Sequence, residues 1–158
     1  MMADPFRRTR AGDFTVDLRK ADRELLRSLA GQLRETLTGS PASDDPGVAR
    51  LFPPAYPDDP LRNLDFEHLV GDELMRGRLE GLAVLERTSD AKRISEADLL
   101  MWMRTVNDAR LVLGTRLDVT EDSEFDNYDD DTKGTFAVYT YLGALVATIV
   151  DALGDPTP

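Results

Sequence analysis

Phe136, Val138, Tyr139, Leu142, Leu145, Val146, Ile149, Val150 and Leu153 cover more than half the circumference of any helix they form. A helix with one covered side shows a narrower apolar stripe. This last segment, 132–153, is therefore expected either at the centre of a bundle or partly against a second subunit, and a homodimer is the expectation. Ala144, Gly143 and Ala147 would let another helix approach closely, and Gly154 and Pro156 end the segment.

Three further helices are expected to surround it. Over 18–39, Leu18, Leu25, Leu26, Leu29, Leu33 and Leu37 recur at helical steps, and Gly39-Ser40-Pro41 stops the pattern. Its other face, with Arg19, Lys20, Arg23, Arg27 and Arg34, reads as solvated surface. Over 61–87, Phe66, Leu69, Val70, Leu74, Leu79, Leu82 and Leu85 are expected on the buried side, and the lone His68 reads as surface. Over 95–117, Ser95 is an N-cap with Asp98 three residues on. Before the helices, the hairpin 6–18 alternates Phe14, Val16 and Leu18 with polar residues around an Ala11-Gly12-Asp13 turn. Segment 40–60 holds six of the nine prolines and reads as a loop pinned by Leu51, Phe52 and Tyr56, with one helical turn after Pro46. Thr88 to Arg93 reads as a polar connector. The 158 residues suit a single, mainly α domain, a bundle of about four helices with a short N-terminal β-hairpin.

Charge and composition narrow the function. The net charge is −11, while residues 1–40 carry eight bases against six acids. Nucleic acid is a poor partner for so acidic a surface. The basic N-terminus (Arg7, Arg8, Arg10, Arg19, Lys20) is the only stretch that could bind DNA. The chain lacks cysteine, so it has no thiol chemistry of its own. The N-terminus has no apolar signal core, and the longest apolar run, Phe136 to Leu153, is broken by Thr140, Gly143, Thr148 and Asp151. These features lead to the expectation of a cytoplasmic protein with no membrane span.

No motif names a reaction. Neither a nucleophile–base pair nor a phosphate loop or metal-ligand spacing is present, so no catalytic residue, cofactor or metal is expected. An enzyme reading would require Asp72, Glu73, Asp108 and Arg110 to converge between helices. Asn107 and Arg110 share a helix face. With Asp72, Trp102 and Asp108 they form either a partner-binding spot or a core polar network, in which Arg110 would bind Asp72, Glu73 or Asp108. Asp118 to Asp131 holds eight acids and no base. It fails the EF-hand spacing. It reads as a solvated loop anchored by Phe125 and Tyr128, and with Glu121 and Asp122 as a docking surface for a basic partner.

The run Trp102, Asn107-Asp108, Arg110 to Leu117 resembles an uncharacterised actinobacterial family, as do Asp72-Glu73-Leu74, Arg78-Leu79 and Phe14 to Leu18. That family is often encoded beside the adaptor of the Clp protease. Some of its members are described as regulators of aerial mycelium formation or oxidative stress. The resemblance implies a regulatory protein with a protein partner, a sigma factor or other transcription component. The paired cysteines proposed for redox sensing in parts of that family are missing here.

Overall fold

The computed structural model describes residues 4–39, 45–52, 55–120 and 123–156. The elements are β1 (Phe6–Arg8), β2 (Phe14–Val16), α1 (Lys20–Gly39), α2 (Pro46–Ala49), α3 (Pro60–Thr88), β3 (Arg93–Ile94), α4 (Glu96–Arg116), a 3-10 turn at Phe125–Asn127 and α5 (Asp130–Gly154). The chain is mainly α, with a small antiparallel sheet at the N-terminus.

Gly12 takes φ of 92°, which closes the hairpin, and Phe6 pairs with Val16. The hairpin is extended by β3, in which Ile94 pairs with Phe14. Two residues are too short to show alternation, so the 88–93 connector concealed this strand. Helix α1 starts at Lys20, two residues later than expected, because Asp17 is still in extended chain, its N–H bonded to the Pro5 carbonyl at 2.7 Å. The stripe Leu26, Ala30, Leu33, Leu37 is buried. In α2, Pro46 occupies the first turn and Asp45 accepts from the Gly47 and Val48 N–H groups at 2.8 and 3.3 Å. Val48 and Leu51 anchor the segment in the core.

Arg19, Lys20 and Arg27 on the basic face of α1 are exposed as expected, but Arg23 and Arg34 are not solvated surface. The Arg23 guanidinium donates to four carbonyls: Leu18 (3.1 Å), Val16 (3.0 Å), Ser89 (2.9 Å) and Ala91 (2.7 Å). It thereby ties α1 to β2 and to the turn after α3. Arg27 bonds Ser89 and Asp90, and Arg34 pairs with Glu86. Arg8 is likewise engaged. It donates to the carbonyls of Asp155 (2.9 Å) and Leu153 (3.2 Å) at the C-terminal end of α5 and lies 4.5 Å from the Phe14 ring.

Helix α5 packs along α4, with Leu142, Leu145 and Ile149 wholly enclosed and Val138, Tyr141, Val146 and Leu153 against the core. Its outward residues are Asp130, Asp131, Gly134, Ala137, Thr140, Ala144, Ala147, Val150, Asp151 and Gly154. Helix α5 is long and apolar enough to cross a membrane by length and composition, with mean hydropathy 1.7 over an 18-residue stretch, a test that the core helix of a soluble protein also passes.

Helix α3 departs most from the sequence reading. Leu82 and Leu85 are buried, but the longer part from Pro60 to Glu80 has no buried residue. Leu69 and Leu74, expected inside, are 82% and 43% exposed; Leu61 and Leu64 are also exposed. Helical spacing identifies an apolar position but not the length of the neighbour that would cover it.

Candidate functional site

Helix α4 distributes its polar residues to opposite sides. Its start is fixed by Ser95, whose Oγ accepts from the Asp98 N–H at 3.0 Å. The Asp98 carboxylate pairs with Arg87 instead of closing a capping box. Trp102 is fully buried, edge-on to Phe6, and donates from Nε1 to Thr88 Oγ1 at 2.7 Å. It is a core residue that joins α4 to the end of α3.

Successive helical residues project about 100° apart. Asn107 and Asp108 therefore leave α4 in different directions. Asn107 faces α5 with Arg110, whose Nε and Nη2 donate to Asn107 Oδ1 at 3.2 and 3.0 Å. The guanidinium lies 5.7 Å from the Tyr139 ring centroid. The face shared by Asn107 and Arg110 is as expected, but Arg110 does not bind Asp72, Glu73 or Asp108. It faces α5, away from α3, and the Tyr139 ring supplies its partner surface.

Asp108 faces α3. It is 6% exposed, and both its oxygens accept from Arg78 Nη1, at 2.9 and 3.0 Å. Arg78 Nη2 also reaches the Leu51 carbonyl at 3.4 Å, linking α3, α4 and the end of the α2 segment. Burial pushes the Asp108 carboxyl up to about 6, and the Arg78 charge opposes that shift only in part. Arg78 is the partner of Asp108 that sequence reasoning did not select. A buried acid requires a cation, but nothing in the spacing points to one thirty residues away.

This pair lies in an open cleft of about 500 Å³ between α3 and α4. At one end the helices nearly touch: a Cβ on Gly81 would lie 2.4 Å from Thr105 Oγ1. Towards Leu74 they diverge, and Glu73, Glu80, Met101 and Arg104 line the opening. Asp72 is exposed. The four-residue convergence required for catalysis is therefore absent: Arg110 is on the other side of α4, and Asp108 is held by Arg78.

In the acidic segment, Tyr128 stacks on Phe136 (4.7 Å between centroids), which stacks on Tyr139 (6.1 Å). These rings connect the segment to the Arg110 cluster. Asp129 caps α5 by accepting from the Thr132 N–H at 2.8 Å. Phe125 falls in the 3-10 turn. Glu121 and Asp122 lie outside the described residues. Among the described residues no three His, Asp or Glu side chains converge as a metal-ligand set. Of the N-terminal bases proposed for DNA, Arg8 is consumed by the fold and Arg19 pairs with Asp22.

A family model described as a domain of unknown function, DUF2017, matches residues 3–153. No curated protein and no solved structure matches the chain.

Proposed function

We infer that this chain, which belongs to the DUF2017 family, is a cytoplasmic regulatory protein that works by binding another protein rather than by catalysis. The observation that carries this reading is the outer half of α3, which offers Leu61, Leu64, Leu69 and Leu74 to solvent. Leu61 and Leu64, three residues apart, share a face, and large apolar side chains left open on a folded domain mark interaction sites. The resemblance to regulators of aerial mycelium formation and stress supports a developmental or stress transcriptional role, with a sigma factor or similar component as partner. A homodimer would form on the outward face of α5, and light scattering tests it.

The test of the main reading is a chromosomal triple variant, Leu61→Ser, Leu64→Ser and Leu69→Ser, compared with a deletion strain. These side chains lie outside the core, so the helical circular dichroism should be retained. The expected result is a folded protein with the deletion phenotype. A folded variant that behaves as wild type would sink the reading.

One observation favours a second reading, acid–base catalysis at Asp108, whose carboxyl is pushed up to about 6 beside an open cleft. The folded triple variant separates the two: its outer leucines do not line the Asp108 cleft, so function is kept under the second reading and lost under the first.

A further inference from the structure

We propose that the groove running from Val70 and Leu74 into the α3–α4 cleft receives a basic amphipathic helix of the partner protein. Apolar side chains of that helix cover Leu74 and Met101, and a lysine or arginine enters between Glu73, Glu80 and Asp108. This rests on the protein-binding reading above and names the chemistry of the partner.

Three observations converge on it. Val70, Leu74, Gly77 and Gly81 follow one another at four-, three- and four-residue steps, so they form one line along α3. The line is packed at Gly81 and open at Leu74, which gives an apolar track ending in the cleft.

The charge on this half of α3 is one-sided. From Asp58 to Glu80 there are seven acids and three arginines. Two of those arginines are engaged: Arg62 lies 4.3 Å over the Tyr56 ring, and Arg78 holds Asp108. In the cleft itself Glu73, Glu80 and Asp108 outnumber Arg78 and the exposed Arg104, so electrostatic complementarity selects a basic partner. A second copy of this chain is disfavoured, because it brings the same acidic segment and a net charge of −11.

Asp108 supplies the third observation. It is almost wholly buried, yet both carboxylate oxygens share a single nitrogen, Arg78 Nη1. A carboxylate offers about four acceptor sites. A cation placed in the cleft meets that unused capacity and relieves the burial of the charge.

The experiment uses the full chain and two labelled synthetic helices of about 18 residues, long enough to hold a helix. One combines leucine with lysine and the other leucine with glutamate on the same pattern. Fluorescence anisotropy reads their binding. The leucine–lysine peptide should bind and weaken with salt, and the leucine–glutamate peptide should not bind. Val70→Ser with Leu74→Ser, and separately Glu73→Gln with Glu80→Gln, should each weaken binding by about tenfold. Glu124→Gln with Asp126→Asn, in the acidic segment, should leave it unchanged.

Equal binding of both peptides, lost on Val70→Ser with Leu74→Ser, would overturn the basic partner while leaving an apolar docking site. Binding that no groove variant changes, or that only the acidic-segment variant weakens, would overturn the groove itself. Failure of both peptides to bind would do the same.

Discussion

Replacing Arg78 by alanine should destabilise the protein by an amount that depends on pH. Burial raises the folded-state pKa of Asp108 from 3.8 to about 6, so the fold holds this proton more tightly than the unfolded chain does. The contribution of the group is therefore greatest below pH 4. It is lost as pH climbs to 6, by about 3 kcal/mol at most. Removing Arg78 takes away the charge and the hydrogen bonds that oppose the shift, so the Asp108 carboxyl climbs further. At pH 5 the carboxyl is mostly protonated in both proteins. The variant then loses only the Arg78 stem packing and the bond to the Leu51 carbonyl, about 1 kcal/mol. At pH 8 the fold must bury an unpaired carboxylate or pay to protonate it, and the cost rises to about 3–5 kcal/mol. Urea unfolding followed by circular dichroism, from pH 5 to pH 8, measures both values. Asp13, held low by its hydrogen bond to Arg93, and Asp129, held low by Thr132, give the opposite pH dependence. They are common to both proteins and cancel in the difference. Arg104→Ala, at an exposed cation of the same cleft, should cost under about 0.5 kcal/mol throughout. A cost for Arg78→Ala that is flat with pH would refute the reasoning.

Arg23→Lys should cost about 2 kcal/mol, because one ammonium cannot reach four carbonyls on two segments. Chemical denaturation beside Arg19→Lys checks it, and equal midpoints would count against the hub role. Tyr141→Phe should leave stability unchanged or raise it by up to about 1 kcal/mol. Its hydroxyl is buried with no hydrogen-bond partner among the described residues, and burial with the nearby Asp22 charge pushes it up to about 12. A fall in Tm would show that the hydroxyl has a partner. Asp118→Gly should stabilise by about 0.5–1 kcal/mol. Asp118 sits at φ of 53° just past α4, where Val119 N–H bonds the Gly114 carbonyl and Asp118 N–H the Thr115 carbonyl, a helix stop that suits glycine. A lower Tm for that variant would contradict it.

The sequence by itself determined the order and kind of the main elements, because the signals are local. Ser95 caps a helix through a group three residues away, Gly12 turns the hairpin by its own φ, and the stripe in α1 follows from four-residue spacing. The Asn107–Arg110 contact was legible for the same reason, since both ends lie on one turn.

Contacts between distant segments required the tertiary structure. Asp108 could have paired with any nearby base, and only the crossing of α3 and α4 selects Arg78. Arg23 looked like solvated surface because its four acceptors are backbone carbonyls, which carry no side-chain signature. Phe66, Leu69, Val70 and Leu74 are as apolar and as regularly spaced as Leu82 and Leu85. Periodicity fixes which side of a helix is apolar, but burial needs a second element alongside it. Along the outer half of α3 the fold leaves leucines open to solvent, and that exposure carries the functional reading.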